Sequence, residues 1–218
     1  MKKLLLMLII HCVSLNSISQ TRSLDSLNNL LVNHQVKDTI RVNLLNELSF
    51  QIFKNQPEKS FLYAKEAQTL SRALAFSKGE AKAKNNLAVY YLMKGQTEVA
   101  LHEAMEAIQI GERMRSTELI ADSYSISATI YHIQKSYDKA LDYAAQALAM
   151  KPHNVHVMSR IYNSLGSIAR DKKNYDSALI YYEKALSVMN HAQNDYRAPE
   201  VLCNIGSTYL RKGDLDSA

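Results

Sequence analysis

Few residues in this chain have the types and spacings that do chemistry. His153 and His156 are three apart and could set two imidazoles on one helix face. A zinc ion takes three or four ligands, and no nearby Cys or further His completes the set. The pair therefore reads as exposed histidines following Pro152. The sequence holds no HExxH, no CxxC and no glycine-rich phosphate loop. Cys203 has no His or acid partner beside it and reads as a partly buried structural thiol. There is no Trp among the aromatics but 13 Tyr, and these lie on or beside apolar stripes. Most of them read as core aromatics between helices, not as platforms for stacking bases. The chain is accordingly expected to be non-enzymatic, with no metal and no cofactor.

The chain is rich instead in helices of one repeated design. In the stretch 161–186, Tyr162, Leu165, Gly166 and Ala169 fall at i, i+3, i+4 and i+7, the stripe of an amphipathic helix. Asn174 breaks the pattern in a turn, and Ala178, Tyr182 and Ala185 form a second stripe. Gly166 and Ala178 carry almost no side chain, so the two helices can approach to near 8 Å, roughly the close end of the usual range. The small residue of the first helix recurs as Ser49, Ala88, Ala128, Gly166 and Gly206, in steps of 39, 40, 38 and 40. The small residue opening the second recurs as Ser60, Ala100, Ala140, Ala178 and Ala218, in steps of 40, 40, 38 and 40. A later pair keeps the same register: Ala64 and Ala67, Ala104 and Ala107, Ala144 and Ala147, then Tyr182 and Ala185. With 47% apolar residues, 6 Gly and 3 Pro, the composition suits an all-helical array and argues against disorder.

The turns carry start signals. Ser136, Asn174 and Asp214 stand where the second helix of a hairpin needs an N-cap. Glu58, Glu98, Asp138, Asp176 and Asp216 follow in the first turn, where the helix dipole favours negative charge. Pro57 takes a first helical position, where its missing N–H costs nothing.

The pattern resembles the tetratricopeptide repeat (TPR) family on Tyr162, Leu165, Gly166, Ala178, Tyr182 and Ala185. Leu87, Ala88, Tyr91, Gly95, Ala100 and Ala107 match in an earlier repeat; so do Tyr124, Ala128, Tyr131, Ala140, Ala147 and Pro152. The first repeat keeps Leu45, Leu48, Ser49 and Ile52 but has a turn one residue shorter. The family period is about 34 residues, whereas here the steps are near 40. The surplus is expected to lengthen the helices by a turn or more, the form that resembles TPR arrays of bacterial signalling proteins. The resemblance implies an all-α fold, a right-handed α-solenoid of antiparallel helix hairpins.

The domain organisation follows. Residues 1–19 read as a signal peptide: Lys2 and Lys3, an apolar run Leu4–Ile10, then Ser17 and Ser19, with cleavage near Ser19–Gln20. That run is far short of the ~20 residues that span a membrane. Residues 20–40 read as a capping helix and linker, with Leu24, Leu27, Leu30 and Leu31 on one stripe and a polar break at His34–Asp38. Residues 41–218 read as about five repeats, the last truncated at Ala218 with Leu202, Ile205 and Tyr209 left uncovered, as in a fragment of a longer protein. Net charge is +5, falling to +3 once Lys2 and Lys3 are removed, with no block of like charge. Nucleic acid is not an expected partner.

The resemblance also implies where a ligand goes. In TPR arrays the first helix of each hairpin lines an inner groove, and here its groove positions lie two to three residues before the small residue. They hold Asn46 and Glu47, Asn85 and Asn86, Ser125 and Ile126, Asn163 and Ser164, then Cys203 and Asn204. The row resembles the asparagine ladder with which some TPR proteins hold a peptide backbone, since each amide offers a donor and an acceptor. The carboxylate clamp of other TPR grooves is incomplete: Lys82 and Arg160 are two repeats apart, with Asp122 and Glu200 in the corresponding places. The expected function is a protein-interaction scaffold taking a peptide or partner helix in the groove. The alternative is the exported, periplasmic sensor segment of a longer membrane-bound signalling protein, with the membrane anchor and the output domain downstream.

Overall fold

The computed structural model describes residues 24–190 and 198–213. The expected leader at 1–19, Asp214, Asp216 and Ala218 lie outside the described residues. Ten helices run through the described chain: α1 (24–33), α2 (Thr39–Ile52), α3 (Pro57–Ala73), α4 (Ser77–Met93), α5 (Thr97–Arg113), α6 (Thr117–Ile133), α7 (Tyr137–Ala149), α8 (Val155–Asp171), α9 (Tyr175–Asn190) and α10 (Ala198–Lys212). Each helix from α2 onward packs on its neighbours in sequence, and α2, α4, α6, α8 and α10 also pack on one another in turn. This is an α-solenoid of stacked hairpins. Helices α3, α4, α5, α6 and α8 are each 17 residues long, which is where the surplus over the usual period goes.

The small residues do what helix approach requires of them. Ala88, Ala100, Ala104, Ala128, Ala140, Ala144 and Ala178 are all 0% exposed, and each repeat builds its core around them. In the first hairpin both markers are serines, and burial there demands hydrogen bonds. The Ser60 hydroxyl donates to the Ser49 carbonyl at 2.8 Å and the Ser49 hydroxyl to the Ser60 carbonyl at 2.9 Å. Helix α1 lays Leu24, Leu27 and Leu31 against Val42, Leu45 and Leu48, while Leu30 of the same expected stripe points outward at 52% exposure.

The turns are alike beyond what the sequence suggests. Ala75, Gly95, Arg115, Lys135 and Lys173 all have φ between 52° and 73°. In each case the next N–H reaches back to the third-last helical carbonyl, as Gln96 to Tyr91 at 2.9 Å and Ser136 to Tyr131 at 2.9 Å. That is the Schellman closure. Glycine suits it, yet only Gly95 supplies one in these hairpin turns. The first hairpin, one residue shorter, has no left-handed residue between α2 and α3. Asn174 caps α9 through its Oδ1, which accepts from the Ser177 N–H at 3.2 Å. Ser136 holds the capping position of α7 without a side-chain cap bond. Asp38, Ser116 and Asn154 cap α2, α6 and α8 through their side chains.

Candidate binding groove

The helices that open each hairpin, α2, α4, α6, α8 and α10, present their inner faces to a common hollow. Its centre is a cavity of about 190 Å³. The floor is apolar, formed by Val89, Leu92 and Met93 of α4, Ile126 of α6, Met189 of α9 and Val201 of α10, with Phe53 just past the end of α2. Polar groups stand around it: Lys54, Thr129, Arg160, Asn163, Ser164 and Glu200. Counted from the small residue of each first helix, and leaving aside Met189 of α9, these positions fall at −6 or −5, −3 or −2, +1, and +4 or +5. That is one helical stripe. The groove positions expected from the sequence, −3 and −2, are one part of it. Of the remaining part, Val89, Met93 and Phe53 were missed because apolar residues near a small residue read as core, and Thr129 because it follows the small residue directly. The spacing i, i+3, i+7 from Asn86 would have found Val89 and Met93.

The asparagine row is built differently from an open ladder. Asn46 and Asn85 are 4% and 3% exposed and lie beneath the groove surface. Asn46 donates through Nδ2 to the Gly79 carbonyl at 3.0 Å, and Asn86 donates through Nδ2 to the Asn46 carbonyl at 2.9 Å. Asn85 donates to Asp122 Oδ2 at 2.9 Å and accepts from the Ser123 hydroxyl at 2.9 Å. Ser125 accepts from Arg160 Nε at 2.7 Å. Asn163 donates to Glu200 Oε1 at 3.2 Å, and Asn204 donates to Asn163 Oδ1 at 2.9 Å. Each amide nitrogen thus reaches a neighbouring repeat, and the row ties successive first helices together. Of the six, Asn163 lines the cavity.

The charges on the hollow are paired within the chain. Arg160 binds the Asp122 carboxylate, so the one cation at an inner clamp position of α8 is occupied; Lys82 is exposed on α4. Lys54 and Glu200, 146 residues apart, form an ion pair across the hollow. Beside it the Phe50 ring meets the His156 ring edge-on, with centroids 5.4 Å apart. The first repeat therefore touches the fourth and the last over the groove.

The other candidates settle as follows. His153 is exposed, and its backbone N–H and that of Asn154 donate to the Glu118 carboxylate at 3.2 and 3.1 Å. Among the described residues no group of three His, Cys, Asp or Glu side chains converges on a metal-sized site. Cys203 is exposed, which corrects the expectation of a partly buried thiol. Tyr182 is 0% exposed, with its hydroxyl 3.1 Å from the Ser167 hydroxyl; Tyr90, Tyr91, Tyr124, Tyr131, Tyr162 and Tyr181 are half-buried. Among the described residues no helix is long and apolar enough to cross a membrane.

Comparison with known proteins agrees with this architecture. No curated protein matches the chain in sequence. Among solved structures it is similar to BtubC (BKLC) from P. vanneervenii, with a TM-score of 0.60 and 20% identity over 92% of this chain and 84% of that one. It is also similar to a chain of the APC/C hetero-tetramer Cut9–Hcn1, with a TM-score of 0.69 and 16% identity over 94% of this chain and 36% of that one. The apo form of RapI gives a TM-score of 0.59 and 16% identity over 92% of this chain and 76% of that one. At such identities the likeness is one of fold. In sequence, residues 121–154 and 157–218 each match the tetratricopeptide repeat. The same register of small residues and turns continues through the hairpins before them, and residues 121–154 and 157–218 of this chain are tetratricopeptide repeats.

Proposed function

We propose that this chain is a non-catalytic scaffold that holds a protein partner, as a peptide or a helix, against the inner face of α2, α4, α6, α8 and α10. Tetratricopeptide repeats are interaction modules, and stacked repeats make extended concave binding surfaces. The observation that carries the finer reading is the cavity of about 190 Å³ on that face, apolar at its floor and polar at its rim. This is the make-up of a site that desolvates an anchor and orients it with a few polar groups.

Peptides selected from a random library on the chain from Gln20 onward test the proposal. Met93 is 47% exposed at the cavity edge. Met93→Asp together with Asn163→Ala is expected to weaken the selected peptides about tenfold or more, with helicity unchanged. Asn85→Ala should act otherwise, costing about 1–3 kcal/mol of stability, because Asp122 and Ser123 lose a buried partner. Selected peptides that bind the groove variant as well as the parent would place the site elsewhere.

Export is part of the same proposal. The stretch from Lys2 to Ser19 has the charged start, apolar run and small residues of a secretory leader. Intact mass of the protein expressed from its full gene in a bacterial host should show a chain beginning at Gln20. A product retaining residues 1–19 in the membrane fraction would remove the periplasmic assignment.

A further inference from the structure

The contacts across the hollow restrict what can enter it. An extended peptide running the length of the inner face would pass the Lys54–Glu200 ion pair, where the first repeat meets the last, and the Phe50–His156 contact, where it meets the fourth. Below that bridge the cavity of about 190 Å³ is somewhat larger than the engineered apolar cavity of about 150 Å³ that stays dry and takes up benzene. Its volume suits one large side chain, not a run of them.

The charges decide which kind. Lys54 is paired with Glu200, and Arg160 with Asp122. Asn163 donates to Glu200, and Ser125 accepts from Arg160. No rim charge is left to greet an ionised side chain, which would enter an apolar floor without a counter-ion, and that is strongly unfavourable. An apolar side chain meets Val89, Ile126 and Val201, with Met93 and Met189 to adjust around its shape. We infer that the cavity between α4, α6, α8 and α10 is a socket for a single bulky apolar side chain, of Leu, Met or Phe size, presented by a protein partner beneath the Lys54–Glu200 bridge. The identity of the partner as a protein rests on the scaffold reading; the chemistry of the socket does not.

The probe is N-acetylphenylalaninamide added to the mature chain with 13C-labelled methionine methyls. The Met93 and Met189 signals are expected to shift together and saturate, with a dissociation constant of about 1 mM, as befits a ligand of this size. N-acetylaspartamide at the same concentration should leave them in place. Met93→Trp, which fills the socket from its half-exposed edge, should weaken the probe about tenfold or more while the circular dichroism of the helices stays the same. Shifts that fail to saturate, shifts equal for the two amides, or binding that survives Met93→Trp would overturn the socket. The two readings separate cleanly. Peptides selected on the groove that lack a common bulky apolar residue sink the socket and keep the scaffold. A probe that binds as described, with no peptide selected on the groove, keeps the socket and sinks the scaffold.

Discussion

Gly166→Ala is expected to destabilise the protein by about 1–3 kcal/mol, although the same change on an exposed helix surface gains about 0.5–1 kcal/mol. A Cβ on Gly166 would lie 2.6, 2.7 and 2.9 Å from Cε1, Cδ1 and Cζ of Tyr182. The ring has little room to retreat. Tyr182 is 0% exposed, its hydroxyl is held 3.1 Å from that of Ser167, and Ala178, Ala185, Met189 and Val201 pack in the same cluster. The other hairpins solve the same packing problem with different parts. There the residues in the register of Tyr182 are Ala64, Ala104 and Ala144, and those in the register of Gly166 are Ser49, Ala88 and Ala128. Volume has been exchanged across the hairpin, with glycine on one helix accommodating tyrosine on the other. Tyr182→Ala alone should cost about 3–5 kcal/mol through the cavity it leaves. In the double variant the new methyl enters that cavity, and the pair becomes the Ala–Ala pair of the second and third hairpins. Its loss should fall short of the sum of the single losses by at least ~1 kcal/mol, measured by urea unfolding of all four proteins. Strict additivity would mean that Gly166 and Tyr182 do not compete for one space.

What was legible in the sequence was whatever helix packing imposes on residue type. Two helices cannot approach closely without small side chains, so Gly166 and Ala178 and their counterparts reveal period, hairpins and core together. Acid residues in the first turns of α3, α5, α7 and α9 were legible for a similar reason, since a helix end acts on charge through its own dipole. The left-handed turn residues were not legible. Arg115, Lys135 and Lys173 give no local sign of a positive φ, which the packing of the flanking helices enforces against intrinsic preference. The groove was half legible. Its positions follow from helix phase, but the direction of an amide does not. Asn85 and Asn163 have the same offset from their small residues, and each donates to an acid of the next repeat, Asp122 and Glu200; one is nonetheless buried between helices and the other lines the cavity. Such partners stand some 37 residues away and become neighbours only after stacking.

Lys84→Met should give the largest loss of any single charge removal, about 3 kcal/mol or more at neutral pH. Lys84 lies on α4 with its side chain 3% exposed, in a stretch that reads as ordinary polar helix. Its Nζ donates to Glu103 Oε2 at 3.1 Å and to Glu106 Oε2 at 2.6 Å, both on α5. Around this pair stand Arg72 bound to Glu80 at 2.7 Å and His102 at 3.6 Å from Glu106. The value belongs to the lower part of the range for broken buried pairs, since Glu106 keeps 38% of its side chain in solvent. The pH dependence carries the sign. The hydrogen bond from Lys84 holds the Glu106 carboxyl below its ordinary 4.5, outweighing a desolvation that acts in the opposite direction. A carboxylate lowered in the folded state stabilises fully above its unfolded pKa, and that stabilisation is lost as pH falls through the folded value. Without Lys84 the principal lowering influence is gone and desolvation pushes the Glu106 carboxyl upward, so protonation then favours the folded state. The stability gap between parent and Lys84→Met should therefore be widest near pH 7 and narrow steadily toward pH 4. Urea midpoints of the two proteins across that range provide the check. A gap that stays constant with pH would mean that Lys84 acts through packing of its aliphatic stem, not through its charge. Lys84→Met combined with Glu103→Leu and Glu106→Gln should recover most of the loss at pH 7, because the uncompensated carboxylates, more than the missing cation, are what destabilise the single variant.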